Sequence, residues 1–322
     1  MKLVITGALG HIGSRLLRDL VVNGSAREVV LVDNLATQRY CSLFNLPEKG
    51  KYRFVEADVL DADMKEIIRG SDAVVHLAAI TDAANSFQNK DQVERVNYNA
   101  TVKVAEACRD AECPMIHLSS TSVYGTQKEV VDEDCSADQL KPQSPYAETK
   151  LKEERFLQSL ARSGNLRFIT CRFGTICGVA PGMRFHTAVN KFCWQAVAGT
   201  PLTVWRTALQ QKRPYLSLDD AVKAVDFIIK KDIFDGKTYN VLTANLTVQN
   251  IVHFIERHVP DTEIKYVDTE IMNQLSYEVL TDRFQALGFR YEGSVENDIA
   301  ETIQLLRNMN SDSVDKIAGT EG

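Results

Sequence analysis

The first half of the chain alternates between two hydrophobic periods. Short, nearly continuous apolar runs at Lys2–Thr6 and at residues 28–32, 52–55, 73–77, 115–118 and 167–173 have the length and β-branched content of buried strands. Between them apolar residues recur at helical spacing. Examples are Ile12, Leu16, Leu17 and Leu20 ahead of Gly24, then Met64–Ile68, residues 92–110 and residues 148–161. Strands separated by helices pair in parallel through right-handed crossovers, so the pattern predicts an α/β protein with a doubly wound parallel sheet. Ligands of such sheets sit beyond the carboxyl ends of the strands, where Gly7, Asp33, Asp58, Ala78 and Ser120 fall. After residue 174 the pattern is less regular. Helices are predicted over residues 187–198, 219–230, 248–258 and 296–307. Strands are predicted at Leu202–Trp205, at residues 215–218, at Thr238–Val241, which returns to the main sheet, and at Ile264–Val267.

The turn after the first strand reads Gly7-Ala8-Leu9-Gly10-His11-Ile12-Gly13, and the next strand closes on Asp33, followed by Asn34. Glycines here permit a tight turn and let the amides at a helix N-terminus approach a pyrophosphate. An acidic residue at the end of the second strand suits the two hydroxyls of an adenosine ribose and repels a 2′-phosphate. The unit therefore predicts dinucleotide binding, with NAD favoured over NADP because Asn34 rather than arginine follows Asp33. This assigns residues 1–174 and 215–243 to the dinucleotide-binding domain. Residues 175–214 and 244–309 form a smaller mixed α/β substrate region, and residues 310–322, polar and aperiodic, are predicted to be disordered.

A second motif, Ser144-Pro145-Tyr146-Ala147-Glu148-Thr149-Lys150, opens a helix. Ser144 is a capping residue and Pro145 takes the first helical position, so Tyr146 and Lys150 lie one turn apart on one face. An ammonium beside a phenol favours the phenolate, which makes the tyrosine a candidate base.

Composition narrows the partners. A net charge of −6 without a basic block argues against nucleic acid, and no apolar run approaches the about 18 residues of a membrane span. The seven cysteines form no C-x-x-C pair and the histidines have no metal spacing, so neither a disulfide framework nor a metal site is expected. Because Met1 leads directly into a strand, no signal peptide is expected, and the expected location is cytoplasmic.

Together these residues resemble the extended short-chain dehydrogenase/reductase family, which includes the NAD-dependent nucleotide-sugar epimerases, such as UDP-glucose 4-epimerase, and the dehydratases. The resemblance spans residues 1–309 and rests on residues 6–13, Asp33-Asn34, Asp58-Val59, Leu77-Ala78-Ala79, Asn97, the stretch 119–125, Tyr146–Lys150, and Arg213 ahead of Asp219-Asp220. It implies a Rossmann-type sheet and NAD as cofactor, held by Gly7, Gly10, His11, Ile12, Gly13, Asp33, Asn34, Asp58, Val59, Leu77, Ala78, Ala79, Asn97, Tyr146 and Lys150. It makes Tyr146, Lys150 and Ser120 catalytic, and places Thr121, Ser122, Thr175 and Arg213 on a nucleotide-diphosphate sugar. Family members commonly form homodimers through the helices at 92–110 and 148–161, which implies a homodimer here.

Two departures from the family refine the reaction. The 4,6-dehydratases carry an Asp-Glu pair where this chain has Thr121 and Ser122, so the acid and base of an elimination are missing. In the usual R-x-x-N-x-Y-G, Thr175 replaces the Asn and Cys177 the Tyr. The expected function is a nucleotide-sugar 4-epimerase acting through a transient 4-keto sugar. A 4-dehydrogenase or keto-sugar reductase is the alternative within the family. A dinucleotide-sensing module without catalysis is disfavoured because both Tyr146 and Lys150 are present.

Overall fold

A computed structural model describes residues 1–82, 85–125, 129–268 and 277–308; the expected tail at 310–322 lies outside these residues. In chain order the elements begin β1 (Lys2–Thr6), α1 (His11–Val22), β2 (Glu28–Asp33), β3 (Lys51–Glu56), α2 (Met64–Ile68), β4 (Ala73–His76), α3 (Lys90–Asp110) and β5 (Met115–Ser120). They continue with β6 (Val130–Val131), α4 (Pro145–Ser163), β7 (Phe168–Phe173), β8 (Thr175–Cys177), α5 (Ala188–Val197), β9 (Leu202–Trp205), β10 (Lys212–Ser217) and α6 (Leu218–Lys231). The last are β11 (Thr238–Val241), β12 (Ala244–Thr247), α7 (Val248–Glu256), β13 (Ile264–Val267), β14 (Glu278–Val279), α8 (Asp282–Ala286) and α9 (Val295–Leu306).

Seven strands form one sheet in the order β11-β7-β5-β4-β1-β2-β3, with every neighbouring pair parallel. The order reverses direction at β1, so the carboxyl ends of β1 and β4 flank a crevice, the place where an open α/β sheet binds ligand. Successive side chains of a strand point to opposite faces, and the two cores follow that alternation. Leu3, Ile5, Leu31 and Val75 pack with α1 and α6 on one face; Val4, Val30, Val32 and Val74 pack with α2, α3 and α4 on the other. Each fully buried aliphatic side chain contributes about 1.5–3 kcal/mol, which explains why the strands read as nearly continuous apolar runs.

The remaining strands make small sheets: β12-β10-β8, β13-β9 and β14-β6. A third core beside the main sheet gathers Val189 and Phe192 of α5, Ile251 and Ile255 of α7, and Ile299 of α9. The chain between β8 and α5 leans back on the Gly-rich turn. Gly182 donates its amide to Ser14 Oγ at 2.9 Å, and a Cβ on Gly182 would fall 2.2 Å from the Leu9 carbonyl oxygen. No helix among the described residues is long and apolar enough to cross a membrane.

Candidate active site

The turn at the end of β1 is shaped by two glycines whose reasons are steric. Gly7 has φ +63°, and a Cβ there would lie 2.6 Å from the Ala78 amide nitrogen; a Cβ on Gly13 would lie 2.6 Å from the Ala8 carbonyl oxygen. Gly10 differs. It precedes α1, and its virtual Cβ meets only Gly7 O at 3.2 Å and an Arg39 guanidinium nitrogen at 4.0 Å, so the space before the helix stays open. The first bond into the helix is Ser14 N to Gly10 O, which leaves the amides of His11, Ile12 and Gly13 at a positive helix end suited to an anion. The His11 ring turns away and meets the Gly178 carbonyl at 2.7 Å. Burial, only partly offset by that bond, lowers its pKa to about 4, so it is neutral at pH 7.

Asp33 accepts the Leu9 amide on one oxygen and the Leu35 amide on the other, each at 3.0 Å, which fixes the carboxylate beside the turn. Asn34 donates to Asp58 at 2.9 Å, and Asp58 also accepts the Leu60 amide at 2.8 Å. Val59 is buried in the second core, against which Ala78 packs, while Ile12 and Leu77 pack against the first. Ala79 is partly buried in the same segment. Beyond it, Asn97 of α3 receives the Ile80 amide at 2.7 Å and donates back to the Ile80 carbonyl at 2.9 Å. Two walls that exclude any Cβ, an open anion-binding helix end, and a pre-fixed carboxylate beside it fit a dinucleotide with an unmodified adenosine ribose.

At the carboxyl end of β5, Ser120 lies near enough to the phenol of Tyr146 to lower its pKa. Ser120 Oγ itself accepts from Ser122, from the hydroxyl at 2.9 Å and from the amide at 3.2 Å, so a pair of linked hydroxyls stands beside the phenol. The Ser144 side chain caps α4 by accepting the Ala147 amide, and Pro145 follows it at the helix start. One turn on, Lys150 is buried and donates to Glu153 at 2.9 Å. Burial raises the Tyr146 pKa and the Lys150 ammonium opposes that rise. For Lys150, burial disfavours the charge, but Glu153 and Tyr146 together outweigh it, so it stays protonated. The next residue, Glu154, clamps the helix to β7. It takes two hydrogen bonds from Arg172, at 3.0 and 2.7 Å, and one from Ser119 at 2.5 Å.

The substrate-side expectations divide. Ser122 faces Ser120, whereas Thr121 is buried, donates to the Phe173 carbonyl at 3.3 Å and through its own carbonyl accepts from Tyr277. Thr175 pairs with Tyr215 across β8 and β10, and Arg213 lies two residues earlier on β10, on the same face as Tyr215. The Arg213 guanidinium receives partial burial that lowers its pKa, and it donates to Gln211 at 2.9 Å. His186 and Lys191 line a shallow cavity with Phe185 and Trp194.

Arg184 is the site residue that spacing did not reveal. Its guanidinium donates to Thr81, its buried Nε has no partner among the described residues, and Tyr146, Arg39 and Asp82 are near enough to act on its charge. Burial, then Arg39, lowers its pKa. The only signal in the sequence is a cation just after the Pro181-Gly182 turn, with nothing to link it to a residue of β4 or α4. Among the described residues no group of His, Cys, Asp and Glu is arranged to hold a metal ion.

Residues 3–241 match the model of the NAD dependent epimerase/dehydratase family. The uncharacterized UDP-glucose epimerase YtcB of Bacillus subtilis (strain 168) is 30% identical over 265 residues, covering 80% of this chain and 81% of the relative. The trifunctional UDP-glucose 4,6-dehydratase/UDP-4-keto-6-deoxy-D-glucose 3,5-epimerase/UDP-4-keto-L-rhamnose-reductase RHM3 of Arabidopsis thaliana is 30% identical over 94% of this chain, which spans about half, 47%, of that protein. Among solved structures, MoeE5 in complex with UDP-glucuronic acid and NAD superposes with a TM-score of 0.82 at 26% identity, over 95% of this chain and 99% of that one.

Proposed function

The chain belongs to the NAD-dependent epimerase/dehydratase family, and from that premise we propose that it is a nucleotide-sugar 4-epimerase working through a transient 4-keto sugar. The observation that carries this reading is the placement of Tyr146 near Ser120 and Lys150, with hydroxyl side chains at the two positions after Ser120. An elimination across C5 and C6 needs a positioned acid and base, and Thr121 and Ser122 supply neither.

Bound at the Gly-rich turn and Asp33, NAD supplies a hydride acceptor that can also return the hydride. The chain's own residues do the rest. Tyr146 takes the proton of the C4 hydroxyl as that carbon is oxidised and gives a proton back when the ketone is reduced on its other face. Ser120 holds the same oxygen and, through Ser122, keeps a hydroxyl row that steadies the phenol. Lys150 stabilises the phenolate while it exists. Arg213 and Thr175 hold the diphosphate, and residues 175–214 and 244–309 carry the nucleotide end. Arg184, a cation beside Tyr146 with one unpartnered nitrogen, suits an anionic group on the substrate, so UDP-glucuronic acid, bound by MoeE5, joins UDP-glucose as a first candidate. A homodimer built on the outer faces of α3 and α4 belongs to the same reading.

The test uses UDP-glucose and UDP-glucuronic acid deuterated at C4, with GDP-, CDP- and dTDP-hexoses as further substrates. An epimerase keeps the label at C4 of the product and ends each cycle as NAD. Label passing into accumulating NADH would mean a 4-dehydrogenase, and solvent deuterium at C5 would mean a dehydratase; either would overturn the proposal. Tyr146→Phe should lower turnover by ~10²–10⁴ with NAD binding retained.

A further inference from the structure

Two consecutive acids on α4 have different surroundings. Glu154 has both oxygens satisfied by Arg172 and Ser119. Glu153 is fully buried, and three donors converge on one of its oxygens: Lys150 at 2.9 Å, His117 at 2.8 Å and Thr101 at 3.0 Å. Its other oxygen has no partner among the described residues. A buried carboxylate left half satisfied is costly, and replacing the pair by apolar groups would commonly be no worse for stability. Its place, one turn beyond Lys150 on the stripe that carries Tyr146, points to the chemistry instead.

We propose that Glu153 is a positioning residue: its charge partly neutralises the Lys150 ammonium and thereby sets how strong a base Tyr146 is. The inference rests on reading Tyr146 as the base. The charges that face this pair come from every element packed around it. Lys150 and Glu154 share α4, His117 comes from β5, His76 from β4, and Arg184 from the loop after β8. His76 is neutral at pH 7, its pKa lowered to about 3 by burial and then by Lys150; its Nδ1 meets Thr6 and its Nε2 has no partner. Burial pushes Glu153 up, but Lys150 and the bond with His117 outweigh it and hold the carboxylate ionised. Among the described residues Glu153 is therefore the carboxylate in contact with Lys150, and it opposes ionisation of the phenol. Tyr146 and Lys150 titrate as a coupled pair, and removing a nearby negative charge lowers both apparent values.

The experiment is a tyrosinate titration of the cofactor-free protein by near-ultraviolet absorbance, taken as the difference from Tyr146→Phe so that only the Tyr146 step remains. Glu153→Gln should move that step to lower pH by about one unit or more. Glu153→Asp, which keeps the charge but draws it back by one methylene, should give a smaller shift in the same direction; it carries the test if the glutamine variant does not fold. Both limbs of the pH profile of kcat/KM should follow. A purely structural role would lower the melting temperature and leave the step in place. A step unmoved, or moved upward, in a variant that melts cooperatively overturns the inference. The titration needs no substrate, so a shifted step with no turnover of any nucleotide sugar would reject the proposed function and leave this inference standing.

Discussion

Asp33 is held by amides on both sides, Leu9 before α1 and Leu35 after β2, so its charge has one fixed location beside the turn. In the proposed function that location discriminates between dinucleotides, because a carboxylate accepts from two ribose hydroxyls and repels a 2′-phosphate. Asp33→Asn keeps an acceptor for one amide and removes the charge. NAD affinity should fall and the preference over NADP should narrow several-fold, measured by fluorescence titration with the two reduced dinucleotides; an unchanged ratio would remove Asp33 from cofactor selection. Asp33, Tyr146 and Lys150 stand out as candidates in the sequence because each belongs to a short local pattern. Arg184 and Glu153 could not, because what gives them meaning lies far away in the chain. Arg184 meets Thr81 across 103 positions, and Glu153 meets Thr101 and His117 across 52 and 36. Thr121 likewise has a distant partner, since its hydroxyl donates to the Phe173 carbonyl 52 positions away.

At the scale of elements, the Gly-rich turn separates what glycine does for folding from what it does for binding. Gly7→Ala would place a methyl against the backbone of Leu77 and Ala78 at 2.6–2.8 Å and force a β-carbon onto φ +63°, and backbone cannot yield as a flexible side chain does. It should cost more than about 2 kcal/mol of stability. Gly10→Ala meets only one oxygen at 3.2 Å and has an extended conformation any residue adopts, so the fold should survive. NAD affinity should nevertheless drop at least tenfold, because the methyl would occupy the open space before α1. Thermal melts with NAD titrations check both; equal effects of the two changes on stability would contradict the division. The strands and helices of the main sheet were legible because their apolar runs and helical spacings alternate in chain order. β6, β8, β12 and β14 have two to four residues, and each finds its partner strand elsewhere in the chain, so no local pattern announces them.

The whole molecule is tied together where α9 reaches the dinucleotide side. Asp298 of α9 is buried against Cys177, which donates to it at 3.4 Å, and Ser217 lies near enough to act on its charge. A Cβ on Gly178 would lie 2.8 Å from Asp298 Oδ1, and the Gly178 carbonyl holds His11 at the start of α1. Burial, reinforced by the charges of Asp219 and Glu301, raises Asp298 to about 7 against the influence of Ser217 and Cys177. In the unfolded chain the same carboxyl titrates near ~3.9. The folded state therefore binds the extra proton between these values. The stabilising contribution is full below about pH 4, declines as pH rises, and is lost once the pH passes about 7. Asparagine carries no such proton, so Asp298→Asn should remove this part of the pH dependence. The stability of the variant relative to the unaltered protein should rise between pH 5 and pH 7 by up to about 1.4 kcal/mol per unit, and level off above. Denaturant unfolding at a series of pH values measures that difference. A difference that stays constant across the range would mean Asp298 titrates in the folded protein as it does in the unfolded chain, and that the junction between α9 and the dinucleotide turn stores no proton.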